Sequence, residues 1–184
     1  MKTTMKFFAA LTIMLGFSFA MMAQNTNTSN DNIEGKAYVV QAMNVSGLTA
    51  LDFKNVSPGI PKTIDLKNVA TGGNIGGETT GKFTVSAAAG TPVNIKFTTL
   101  PSNLVSGGNN LQIGDFIAAY DNAESYTSGN TFTPSTGIDI TSFPTNPIGS
   151  ANGIYVFIGG KVTPTTSQPT GNYAADITLT ATYN

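Results

Sequence analysis

Residues 171–184, GNYAADITLTATYN, alternate without a break. Tyr173, Ala175, Ile177, Leu179, Ala181 and Tyr183 fall on one parity, and Ala174, Asp176, Thr178, Thr180 and Thr182 on the other. A period of two belongs to a pleated strand with one buried face. Short runs rich in Val, Ile, Thr, Phe and Tyr recur along the rest of the chain, broken by Gly, Pro, Asn and Ser, and no stretch has the 3.6-residue period of an amphipathic helix. That pattern predicts an all-β sandwich or barrel.

The runs place the expected strands. They are 36–46 (KAYVVQAMNVS), 48–56 (LTALDFKNV, ending in the turn signal Ser57-Pro58-Gly59) and 63–69 (TIDLKNV). Residues 71–77 (TGGNIGG) read as a flexible loop. Runs 82–87 and 92–98 read as a hairpin around 88–91. Run 111–120 is bent at Gly114, and 137–141 is short. Runs 154–162 and 173–183 close the fold as a hairpin with a long loop. Residues 154–158 are apolar on both parities, which predicts a central strand or one covered on both sides. Gly159-Gly160 beyond them predicts a bulge or a close backbone approach.

The first residues have the layout of an export signal. Lys2 and Lys6 form a positive end, and residues 7–20 form an apolar run that is short for a bilayer span. Ser18-Phe19-Ala20 fits a small-x-small cleavage site; cleavage after Ala23 gives a signal peptide of 1–23. Residues 24–35 (QNTNTSNDNIEG) are polar and low in complexity, and are expected to form a flexible leader. Residues 36–184 have the length of a single domain with a real core. No later apolar run is long enough to cross a membrane. The mature chain is therefore expected outside the cell, soluble or held on a surface by protein contacts.

All nine basic residues are lysines, two of them in the signal, against ten carboxylates. A chain with no arginine and no basic excess lacks the patch that a nucleic-acid binder needs. Cysteine is absent, which removes disulfides, thiol catalysis, thiolate metal sites and lipid attachment at an N-terminal Cys. Histidine is absent too, and with it the commonest general base and metal ligand. Most of the acids alternate with apolar residues, as in IDL, GIDIT and ADITL, and read as solvent-facing strand positions. Residues 120–124 (YDNAE) place oxygens close together but lack the spacing of a calcium loop. TGGNIGG and IGGK lack the spacing of a phosphate loop and read as turn and bulge glycines. Tyr38, Tyr120, Tyr126 and Tyr155 are candidates for stacking on a sugar, with core or interface packing the expected role for most. The residues thus predict no catalytic site, cofactor or metal.

Four segments in order resemble one family. LDFKNVSPG (51–59) is similar to the early Leu-x-Phe-Gly motif of the DUF4402 proteins. FTVSAAAGTPVNI (83–95) resembles their Phe-x-Val-x-Gly…Gly-x-x-Val-x-Ile segment. YVFIGGKVTP (155–164) and GNYAADITLTATYN (171–184) resemble their closing Gly-Gly hairpin and terminal strand. Lys54 stands where the family tends to have Gly, and Ala87 where Gly is common. The resemblance implies an exported, immunoglobulin-like, pilin-like antiparallel β-sandwich with a fimbrial or other role on a bacterial cell surface, with the periplasm also open. It carries over no catalytic residues.

A strand at the end of a chain needs a neighbour for its backbone groups. In a pilin-like sandwich the last strand pairs inside the domain and the N-terminal strand is free to pair elsewhere. Residues 36–46 are the candidate donor, with Ala37, Val39, Met43 and Val45 on one parity, broken by Gln41. Added to a neighbour's sheet they would complete it, and a head-to-tail contact of that kind builds a filament. The expected partners are further copies or other surface subunits, and no sorting tail follows Asn184, so anchoring is expected through a partner. The alternative is a monomeric surface module for adhesion or for binding carbohydrate or protein.

Overall fold

The computed structural model describes Ala37 and residues 39–184; the expected signal peptide (1–23) and leader (24–35) lie outside the described residues. Its longest strands show why the chain makes two layers. The strand Ala151–Thr163 buries Ile154, Val156 and Ile158 on one face and Phe157 on the other, so it must be covered on both sides. It is the eleventh of twelve strands among the described residues. The others are β1 (Asn44–Thr49), β2 (Lys62–Ile64), β3 (Ala70–Thr71), β4 (Gly81–Ser86), β5 (Val93–Thr99), β6 (Asn103–Ser106), β7 (Asn109–Asp121), β8 (Asn130–Phe132), β9 (Ile138–Ile140), β10 (Pro147–Ile148) and β12 (Thr178–Tyr183).

The larger sheet is built on β11. On one side β11 pairs first with β4 (Gly153↔Ser86 to Ile158↔Gly81) and then with β2 (Gly160↔Ile64 to Val162↔Lys62). On the other side it pairs with β7. Outside these lie β1 against β4, β3 against β2, and β6 and β8 against the two ends of β7. β10 forms a hairpin with the start of β11. The smaller sheet is β12–β5–β9. Every ladder is antiparallel, and the protein is an all-β sandwich, as the sequence predicts.

The main core lies between the two sheets. Val85, Ala118, Ile154, Val156 and Ile158 of the larger sheet meet Val93, Ile95, Phe97, Ile140 and Leu179 of the smaller one. Phe83 packs edge-on to Phe97, with centroids 5.8 Å apart. The smaller sheet is too narrow to cover its partner. Ile64, Leu111, Ile113 and Val162 therefore form a second core with Phe53, against which Leu51, Val56 and Tyr173 pack. On the outer face, Phe157 and Ala119 are covered by Leu66 and Tyr126. This double cover is the reason 154–158 read as apolar on both parities.

Several strand boundaries and pairings differ from the sequence reading. The first strand is Asn44–Thr49 rather than 36–46, and the described residues before it make no ladder. Residues 50–56 are irregular apart from a bridge of Asp52 with Thr79; their apolar residues cap the second core instead of lining a strand. The strand at 63–69 stops at Ile64, where the Asp65 carboxylate accepts the backbone N–H groups of Lys67 and Val69 and turns the chain. β4 and β5 are not a hairpin, because residues 88–91 cross from one sheet to the other. β11 and β12 are likewise in different sheets. β6–β7 and β10–β11 are hairpins that the sequence pattern does not announce, as are β2–β3 and β7–β8. The first turns on Gly107 and Gly108, both at positive φ (+53° and +86°), as a two-residue hairpin of primed type requires.

The bend expected at Gly114 is a bulge. Gly159 faces Ile117 but Lys161 faces Gly114, so β7 carries one extra residue there. Asp115 adopts φ +47° at this point. The Gly159 backbone is closely approached on the other side: a Cβ there would lie 2.5 Å from the Ile64 carbonyl oxygen. The glycine pair therefore serves both purposes that its sequence suggested.

Candidate functional site

The four residues of the candidate donor strand have two different environments. Val45 lies in β1 opposite Val85, and both Val45 and Met43 pack against the main core of their own domain. Val39 is 91% exposed and Ala37 is exposed. Residues 39–43 have no ladder partner among the described residues. One side chain tethers them: the Tyr183 hydroxyl donates to the Gln41 carbonyl (2.7 Å) and accepts from the Ala88 backbone N–H (2.8 Å). The last strand, the crossover between the sheets and the N-terminal segment thus meet at one oxygen.

Beside this junction both sheets end on a strand edge. β1 is the edge of the larger sheet and β12 that of the smaller, and they lie next to each other without pairing. β12 is six residues long and contains no charged residue and no proline. Leu179 is buried, while Thr178 and Thr182 are exposed. Its inner side is bonded along its length to β5. Its outer side has no backbone partner among the described residues.

A second notable place is the cap of the smaller core. Lys62 falls on the same inward parity as Ile64 and is fully buried. Its ammonium donates to the carbonyls of Asn55 (3.1 Å) and Asn74 (2.5 Å) and pairs with the Glu78 carboxylate. Glu78 also accepts the Gly76 backbone N–H on both oxygens (2.8 and 2.7 Å). The Lys62 hydrogen bond holds the Glu78 pKa below its ordinary value, with burial opposing it. Three donors and a paired carboxylate are therefore satisfied, which is the condition for burying two charges without a large penalty. The pair ties the segment around Asn55 and the 71–77 loop to β2. That loop is held rather than free, and Glu78 is an inward acid rather than a solvent-facing one. The clue was present in PKTIDL, where Lys62 occupies the apolar parity.

Beside this cap lies a groove of about 540 Å³, lined by Leu51, Phe53, Val56, Leu111, Val162 and Tyr173 among others. Two of its polar side chains, Gln168 and Tyr173, are engaged internally. Gln168 donates to the Asn110 carbonyl (3.0 Å) and to the Tyr173 hydroxyl (2.8 Å), which in turn donates to the Pro169 carbonyl (2.8 Å). At its rim Lys54 adopts φ +51°, supported by its backbone N–H to the Asp52 carboxylate (2.8 Å) and an ion pair with it (2.6 Å).

The remaining sequence candidates are structural. The Asp121 carboxylate accepts backbone N–H groups from Ala123 (3.1 Å) and Thr127 (3.4 Å). Burial raises its pKa, and those donors outweigh it and hold the pKa below the ordinary value. A carboxylate already ringed by donors closes a turn and does not present its oxygens to a cation. Tyr126 packs on Phe157 (centroids 5.7 Å apart), and Lys82 lies over the Tyr155 ring (5.9 Å). Tyr120 packs against the main core, where burial raises its pKa. Tyr38 lies outside the described residues. None of the three described tyrosines forms part of an open aromatic platform.

No family model, curated protein or solved structure gives a significant match to this chain.

Proposed function

We propose that the protein is a non-enzymatic, exported structural subunit of a bacterial cell surface, pilin-like, which assembles with further copies by strand addition. The observation that carries this reading is the state of residues 39–43. They are uncharged, they make no ladder among the described residues, and Val39 stands 91% exposed. A β-prone apolar stretch left open to water is a liability in a monomer and an asset in a subunit that donates it. Val45 and Met43 pack against the core of their own domain, which supports a donated stretch confined to the part before Met43.

Two further points support the reading. The export signal expected over 1–23 places the mature chain where filaments form. The DUF4402 resemblance implies the same role, and Lys54 at φ +51° holds the left-handed backbone that the family's Gly would take without strain.

The test is the assembly state of the mature chain (residues 24–184), by light scattering and electron microscopy, beside a Val39→Asp variant. Val39 touches little of its own domain, so the variant is expected to keep its thermal stability and lose assembly. A wild-type chain that stays monomeric at all concentrations would favour the adhesion or binding-module reading, with the groove beside Phe53 and Tyr173 as the place to look for a ligand.

A further inference from the structure

The strand-addition reading requires an acceptor, and the sheet edges of this molecule are not equivalent. An unpaired edge is a template for pairing, and folded proteins blunt it by shortness, charge, bulges or cover. Most edges here are blunted in one of these ways. β3 and β10 have two residues each and β8 three. β9 has three and carries Asp139, whose carboxylate is held by the side-chain amides of Asn94 (2.7 Å) and Asn184 (3.0 Å). β6 is covered where Val105 and Ala174 exchange backbone hydrogen bonds (3.0 and 3.2 Å). β1 is six residues long, but its register slips between Gly47 and Thr49, so Leu48 is an extra residue that interrupts the edge.

β12 has none of these protections. It is as long as β1, uncharged and free of proline. Its ladder also has a register shift, between Thr178 and Leu179, but the extra residue there is Thr98 of β5, between Phe97 and Thr99. The outer row of N–H and C=O groups on β12 is therefore regular. Its inward residues beyond the buried Leu179 are Ala181 and Tyr183, both only partly buried against the main core. An added strand with apolar residues on one parity would extend that core outward.

We infer that the outer edge of β12 is the acceptor for residues 37–42 of a second copy of this chain. The donor stretch, AYVVQA, is uncharged like the acceptor. Ala37 and Val39 supply an inward parity, and Val40 on the opposite parity would line up with Thr178, Thr180 and Thr182. Each subunit then offers one donor and one acceptor, and the contact is heterologous and propagates. In the single molecule Tyr183, at the end of this edge, holds its own donor by the Gln41 carbonyl. Assembly exchanges that one side-chain bond for a backbone ladder.

This inference rests on the assembly reading, and the native absence of cysteine allows the two to be tested separately. One batch of mature chain would carry Val40→Cys and a second batch, with a different tag, Thr178→Cys or Thr182→Cys. Two cysteines on paired strands come within disulfide reach. The batches would be mixed, allowed to assemble and oxidised, with Thr131→Cys on the β8 edge as control. The expected result is a heterotypic disulfide dimer with the β12 cysteines and loss of their free thiol, but not with Thr131→Cys. Assemblies that form without that cross-link, or that link β12 to a second β12, would overturn the acceptor and leave the assembly reading standing. A mixture that remains monomeric by light scattering would overturn both.

Discussion

The Tyr183 hydroxyl and the Lys62 ammonium do the most specific work among single side chains. Tyr183 joins the terminal strand to Ala88 and Gln41 through one oxygen. Tyr183→Phe keeps the ring in place and removes both bonds. A net loss of about 1 kcal/mol is expected, with faster assembly because the donor is no longer tethered; denaturant melts and the lag time of light scattering would read the two effects. Lys62 and Glu78 make a buried pair whose worth depends on both members. Lys62→Met leaves the carboxylate uncompensated and is expected to cost roughly 3–5 kcal/mol, much of it recovered when Glu78→Gln is added. The Glu78 pKa lies below its ordinary 4.5. Between the two values the unfolded chain holds a proton that the folded chain does not, so stability rises with pH there. The contribution is present above the ordinary carboxylate range and is lost as the pH falls through the folded value. Urea midpoints at about pH 7 and about pH 3 should therefore differ less in the double variant than in the wild type. Asp52, Asp121 and Asp139, also held below their ordinary values, keep part of the slope in both.

At the scale of strands and turns, alternation located most of the β segments but not their partners. β5, β7, β9 and β11 lie where the apolar periods put them, because a half-buried strand must alternate. Local pattern misleads about pairing where two neighbouring runs are joined by a plausible turn. AAGT after β4 looks like a hairpin loop and instead crosses between the sheets, because β4 is needed between β1 and β11. The hairpin turn SGGN is inconspicuous because its flanks, NLVS and NNLQ, are too polar to stand out as strands. The apolar run at 48–56 has strand composition but caps a core, a distinction that local pattern does not carry. The buried Lys62 was legible only as a charge on an apolar parity, and its partner lies 16 residues away with no periodic relation to it. The proposed donor is legible as a run, whereas its division at Met43 depends on which residues the main core needs. That division makes a prediction about the strand itself. A chain starting at Asn44 keeps Val45 opposite Val85 and should fold, whereas one starting at Gly47 loses Val45 and should be less stable by about 1.5–3 kcal/mol in a denaturant melt.

Over the whole molecule, two sheets of unequal width explain both notable regions. The smaller sheet covers only part of the larger one, so a second core has to be closed by the Leu51–Phe53–Val56 segment and pinned by the buried ion pair. The same narrowness leaves β12 as an edge, near residues 39–43, which make no ladder among the described residues. A small sheet with one free regular edge, and an unpaired N-terminal segment in the same molecule, is an arrangement that a second copy can complete. The most direct measurement of that claim is the solution mass, by light scattering across a concentration series, of the mature chain from Gln24 beside the chain starting at Asn44. The account predicts masses that grow with concentration for the first and a folded monomer for the second. A folded monomer in both cases would contradict it.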